Sequence, residues 1–236
     1  MSIYTIGDLH LSFGTDKPMD IFGWKNHSDK IKNSWLENVK NKDTVIIPGD
    51  ISWAMNLDEA FKDFEFINEL PGTKIISKGN HDYWWNSKKK LNEFITKNSF
   101  NTICFLQNDS FLVEEKIIVG TRGWSTTDWN LDENYKILRR ECERLKLSIA
   151  DGIARYGEDK EIIAFLHYPP FYKSNVPEEI DFLKILQKYK IRKCYYAHLH
   201  GDSHKSAFEG EKDGIYFELV SSDYLDFKLK RIDDEK

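Results

Sequence analysis

Five of the seven histidines, with Asp8, Asp50 and Asn80, fall in short clusters: Gly7-Asp8-Leu9-His10, Gly49-Asp50, Gly79-Asn80-His81-Asp82, His167, and Ala197-His198-Leu199-His200. Imidazole, carboxylate and amide donors in this mixture suit a borderline divalent ion such as Mn²⁺, Fe²⁺ or Zn²⁺. Each cluster alone says little, because an Asp-x-His arises by chance, a lone Gly-Asp is usually a turn, and a single histidine is more often hydrogen-bonded than ligating. Their order along the chain, each directly after an apolar run, is what makes them a set. Thiolate ligands play no part: Cys104, Cys142 and Cys194 are far apart, form no CxxC and are odd in number, the pattern of reduced buried thiols.

The runs that must position these groups alternate with helical stripes, the signature of βαβ units. Ile3 to Ile6, Thr44 to Ile47 and Lys74 to Ser77 read as strands. Between them a helix capped by Ser28 runs to Val39, a second stripe joins Leu57, Phe61, Phe64 and Ile67, and a weaker third covers Asn86 to Ile95. Thr102 to Leu106, Phe111 to Glu114 and Lys116 to Gly120 follow as neighbouring strands, expected to join as hairpins. Leu131 to Tyr156 carries apolar residues three and four apart, a long helix packing on a core. Glu161 to Leu166 and Lys193 to Ala197 are two further strands flanking a helix from Glu178 to Tyr189, and the tail from Lys205 to Ile232 alternates like strands, with turns at Gly210 and Asp213-Gly214. With no repeat or linker, residues 1–236 read as a single domain.

Ligands of α/β sheets bind beyond the carboxyl ends of the strands, so the clusters are expected to converge. Asp8, His10, Asp50, Asn80, His167, His198 and His200 exceed the four ligands of a closed structural zinc site. Two cations about 4 Å apart can clamp a phosphoryl group and lower the pKa of a bridging water towards about 7, with no amino-acid nucleophile.

In order and spacing, with 42 residues from Asp8 to Asp50 and 30 from Asp50 to Asn80, the motifs resemble those of the calcineurin-like metallophosphoesterases over Asp8 to His200. The resemblance implies an αββα sandwich of two mixed sheets flanked by helices. It also implies two divalent ions, one held by Asp8, His10, Asp50 and His200 and the other by Asp50, Asn80, His167 and His198, Asp50 bridging. The expected activity is hydrolysis of a small-molecule phosphate monoester or diester by a metal-activated hydroxide. Ala197 departs from the family, which usually has glycine before His-x-His; the added methyl is expected to leave the ligands intact.

His81, beside Asn80, is placed to protonate the leaving oxygen, with Asp82 fixing its tautomer. Arg122 is a candidate substrate clamp, its alternative being a surface salt bridge. Trp53, Tyr83, Trp84, Trp85, Trp124, Tyr168 and Phe171 either wall a pocket for a flat leaving group or pack loops. The substrate choice is expected in the loops Ser12 to His27 and Tyr168 to Pro177.

Other readings are weaker. His198 to His204 is close to the His-x-His-x-Asp-His signature of the metallo-β-lactamase fold, but its last histidine comes one residue late and none follows. His204 is then a surface residue and Asp202 a partner orienting a histidine. A catalytically silent scaffold for protein partners would have lost ligands that are all retained. A nuclease, or any binder of bulk nucleic acid, fits poorly with a net charge of -5 over 236 residues. No stretch approaches the ~18 apolar residues of a membrane span and no leader pattern precedes the first strand, so the expected location is cytoplasmic.

Overall fold

Apolar runs without alternation become strands buried on both faces, the habit of parallel sheets covered by helices. The computed structural model describes residues 1–124, 131–171 and 181–232. The chain divides into two compact units, Met1–Phe105 with Val220–Lys236, and Leu106–Leu219. Each carries one mixed sheet and its own hydrophobic core.

In the first unit β1 (Ile3–Thr5), β2 (Thr44–Pro48), β3 (Thr73–Ser77) and β4 (Ile103–Phe105) run parallel, linked by α1 (His27–Asn38), α2 (Phe61–Glu69) and α3 (Lys88–Lys97). Ile31 and Trp35 of α1, Phe64 and Ile67 of α2, and Leu91 and Phe94 of α3 pack with Val45, Ile47 and Ile76 of the sheet. Ser28 lies inside α1 instead of capping it; the cap position is Asn26, in the left-handed region at φ 53°. Ser87 caps α3, its side chain accepting from the Lys90 N–H. Because β4 pairs parallel with β3, α3 is a crossover, and the hairpin expectation fails for this strand.

The second unit contains β5 (Phe111–Val113), β6 (Lys116–Thr121), α4 (Leu131–Tyr156), β7 (Glu161–Leu166), α5 (Phe182–Lys188), β8 (Lys193–Tyr196), β9 (Gly210–Lys212) and β10 (Ile215–Leu219). Strands β6, β7, β8 and β10 are parallel, with β5 and β9 antiparallel at the edges. Only β5 and β6 form the expected hairpin. Leu138, Cys142, Leu145 and Ile149 of α4 pack on Val119, Ala164 and Leu166. Residues 178–180 of the expected helix before β8 lie outside the described residues, and α5 starts at Phe182 with Asp181 as its cap. The β9–β10 turn has both Asp213 (φ 53°) and Gly214 (φ 77°) left-handed, as a two-residue hairpin requires, whereas Gly210 opens a strand. Val220 returns the chain to the first unit, where β11 (Lys230–Arg231) pairs antiparallel with β1. Two mixed sheets flanked by helices are the fold class expected. Among the described residues no helix is long and apolar enough to cross a membrane.

Lys74 on β3 is fully buried, and its Nζ donates to the carbonyls of Leu70 and Gly72 just past the end of α2. Carbonyls there favour a cation, yet burial pushes the amine down to about 8 from 10.5. The folded chain therefore releases this proton near pH 8 while the unfolded chain holds it to about 10.5, so the group adds stability as pH rises through that window. Denaturant titrations of wild type and Lys74→Met should diverge in favour of wild type by up to roughly 3 kcal/mol between those limits. Parallel pH profiles would show that the amine titrates normally.

Candidate metal centre

Past the ends of β1 and β2 the two segments stay paired. Asp8 N–H donates to Gly49 O (3.0 Å), His10 N–H to Asp50 O (2.9 Å), Leu11 N–H to Ile51 O (2.9 Å) and Trp53 N–H back to Leu11 O (3.0 Å). Holding this line bends the backbone into the left-handed region at Asp8 (φ 57°), His10 (φ 44°) and Asp50 (φ 52°). For residues with a Cβ that conformation costs roughly 1–2 kcal/mol each, and it persists only where surrounding bonds enforce it. Ser222 Oγ adds one such bond, donating to Asp8 O at 2.7 Å. All three ligand candidates are buried. Asp8 and His10 bring ligand atoms within 4.8 Å of each other, and His10 Nε2 lies 3.7 Å from Asp50 Oδ2.

The loop after β3 joins them through Asp82. Its Oδ2 accepts the N–H groups of Asp50 (2.9 Å) and Gly79 (2.7 Å), and its Oδ1 those of Ile51 (2.8 Å), Ser52 (3.4 Å) and the Trp84 indole (3.1 Å). Asp50 Oδ1 reciprocates by accepting the His81 N–H at 2.8 Å. Asp82 thus holds the loops after β2 and β3 together through its carboxylate. Gly79 is required by proximity: a Cβ there would meet Asp50 Oδ1 at 2.1 Å and Asp50 N at 2.2 Å.

Asn80 stands in the first unit between Gly79 and His81, and in the second unit the ends of β6, β7 and β8 carry Arg122, His167, His198 and His200. His167 follows β7, and its N–H donates to Arg122 O at 3.2 Å, while its own carbonyl accepts the Ala197 N–H at 3.0 Å. Ala197 is not among the left-handed residues, so its methyl carries no backbone strain; His198 beside it takes φ 76°. The rings of His167 and His198 lie 5.1 Å apart, edge to face, with ligand atoms within 4.8 Å. His200, half-buried, precedes a 3₁₀ turn at Gly201–Ser206.

A family model described as calcineurin-like phosphoesterase matches residues 1–202. The chain belongs to that family. It is accordingly a metal-dependent hydrolase acting on phosphoester bonds. No curated protein matches it. Among solved structures, a phosphopantetheinyl hydrolase from Mycobacterium tuberculosis is similar at 14% identity and TM-score 0.60, covering 99% of this chain and 96% of that one. A Thermus thermophilus protein is similar at 12% identity and TM-score 0.53, covering 98% and 97%. A protein of unknown function from Aquifex aeolicus shares 17% identity over 98% and 95%, with a TM-score of 0.49.

The donor set of this phosphoesterase fits a divalent metal: carboxylate and imidazole atoms lie close enough to share an ion, and the mixture suits a borderline one. Other expectations are revised. Arg122 Nη2 binds the buried Glu141 at 3.4 Å and its guanidinium lies 4.8 Å from the Trp124 ring, so it forms an ion pair, though not a surface one. Asp202 is exposed and binds Lys205, so it orients no histidine through that contact, and His204 is half-buried. Trp84 is core, whereas Tyr83 is exposed. Residues 172–177 of the second loop expected to set the substrate choice lie outside the described residues.

Gly79→Ala should abolish high-affinity Mn²⁺ uptake in equilibrium dialysis and cost at least about 2 kcal/mol of stability, since the clash falls on backbone; normal uptake would refute the close approach. Asp82→Asn turns an amide N–H towards donors and should cost about 2–4 kcal/mol in denaturant titration. A loss under 0.5 kcal/mol, about the scatter of neutral surface changes, would show the clamp to be dispensable.

Proposed function

We propose that this phosphoesterase hydrolyses a monoester or diester of a small molecule at a two-metal centre. The observation that carries the reading is the trio of buried, left-handed ligand candidates Asp8, His10 and Asp50 on paired loops. In this reading Asp8, His10, Asp50 and His200 hold one ion and Asp50, Asn80, His167 and His198 the other, with Asp50 shared. Two divalent ions, when bound, supply polarisation of the phosphoryl group and acidification of water. The chain itself orients and protonates. His81, tied through its backbone to Asp50 and half-buried, donates a ring proton to the leaving oxygen as the P–O bond breaks. Asp82 serves it by fixing the turn on which it stands.

Two assays test this. Mn²⁺-loaded protein should hydrolyse p-nitrophenyl phosphate or bis-p-nitrophenyl phosphate, the preferred ester sorting monoesterase from diesterase, and Asp50→Asn should lose at least about 10³-fold of the rate; equal rates in the variant would trace the activity to a contaminant. His81→Ala should slow alkyl esters about 10²-fold or more and nitrophenyl esters far less, because only the poor leaving group needs the proton. Equal slowing of both would remove the general acid.

A further inference from the structure

Trp53 stands three residues past Asp50, where its sequence position left pocket wall and loop packing open; its ring partners include two imidazoles of the site. Its ring lies 4.8 Å from His10 at an interplanar angle of 23°, and 4.5 Å from His81 at 51°. The two imidazoles are themselves 5.5 Å apart, edge to face. The indole is fixed at several points: its backbone N–H donates to Leu11 O, its Nε1–H points to the Met19 sulfur at 3.1 Å, and Lys17 Nζ lies 5.4 Å from the ring centroid. Met19 is itself buried, at the start of a 3₁₀ turn. Trp24 meets His10 edge-on at 5.6 Å, so the ligand ring is packed by two indoles.

An imidazole turns about its last side-chain bond unless something blocks it, and the direction of its lone pair or N–H turns with it. Aromatic packing of this closeness is worth about 0.5–1.5 kcal/mol per pair beyond burial, enough to favour one ring orientation severalfold. Here one indole does this for two rings with different tasks. We propose that Trp53 is a positioning residue that sets the ring of the metal ligand His10 and the ring of the proton donor His81 together, coupling metal retention to leaving-group protonation. This rests on the proposed function, in which His10 ligates and His81 protonates.

The test compares wild type, Trp53→Phe and Trp53→Ala. Mn²⁺ uptake by the metal-free proteins is measured by equilibrium dialysis, and the loaded proteins are assayed on a nitrophenyl and an alkyl phosphate. Trp53→Ala should weaken one of the two Mn²⁺ ions on the order of tenfold, as loss of an orienting neighbour does, and leave the other. It should also raise the nitrophenyl-to-alkyl rate ratio on the order of tenfold, while Trp53→Phe, which keeps an aromatic face, stays within about threefold of wild type on both readouts. Unchanged uptake and an unchanged rate ratio in Trp53→Ala overturn the proposal, and so does equal damage from Phe and Ala with good and poor leaving groups slowed alike, which marks a purely structural role. If Trp53→Ala fails thermal denaturation controls, Trp53→Leu replaces it, filling volume without an aromatic face. A wild type that binds Mn²⁺ but hydrolyses no phosphate ester defeats the proposed function, while the dialysis comparison still decides Trp53. An active wild type matched by Trp53→Ala in both readouts defeats Trp53 alone.

Discussion

A single carboxylate, Asp82, buried to 1% exposure, accepts five N–H groups, three of them from consecutive residues Asp50 to Ser52 on the neighbouring loop. Hydrogen bonds to a charged acceptor contribute about 1.5–3 kcal/mol each, and more is lost when one partner is removed from a buried set. The loops after β2 and β3 are drawn together here until Gly79 has no room for a side chain. The return bond from His81 N–H to Asp50 Oδ1 makes the clamp reciprocal. The bridging carboxylate, the amide ligand and the proton donor of the proposed mechanism all take their places from it.

The clamp also explains how the strained ligand candidates survive. Left-handed backbone at Asp8, His10 and Asp50 is unfavourable for each residue alone, and the paired loops, the Ser222 bond and the Asp82 acceptors together outweigh it. Asp63 extends the framework to α2: Oδ1 accepts the Phe13 N–H at 2.7 Å and Oδ2 the Ser52 hydroxyl. Burial pushes the Asp63 carboxyl up, with the bonds from Ser52 and Phe13 acting the other way. Strain at a site held by such a network is a sign of preorganisation, with the cost met during folding and the directions of the candidate side chains set by the fold itself.

Much of this was legible from residue types. The strands whose ends carry the clusters, the 131–156 helix and the Asp213-Gly214 turn follow from apolar periodicity and turn chemistry, because those signals are local. Sheet membership was not: the run at Thr102 to Leu106 looks like a hairpin strand beside its neighbours, yet pairing with β3 across α3 is a long-range choice that periodicity does not encode. The ligand candidates were visible because metal donors are chemically rare as a set. The surroundings of Asp82, Arg122 and Trp53 were hidden for the opposite reason. A carboxylate, a guanidinium or an indole occurs in many settings, and residue type does not give the partners the structure shows, five N–H groups, Glu141 and two imidazoles.

The central claim is that two ions share Asp50. The most direct measurement is an anomalous difference map from crystals grown with Mn²⁺, collected on wild type and on Asp50→Asn. The account predicts two peaks about 3.5–4 Å apart with the Asp50 carboxylate between them, and loss of at least one peak in the variant. A single peak in wild type, or two peaks that persist unchanged without the Asp50 carboxylate, would contradict it.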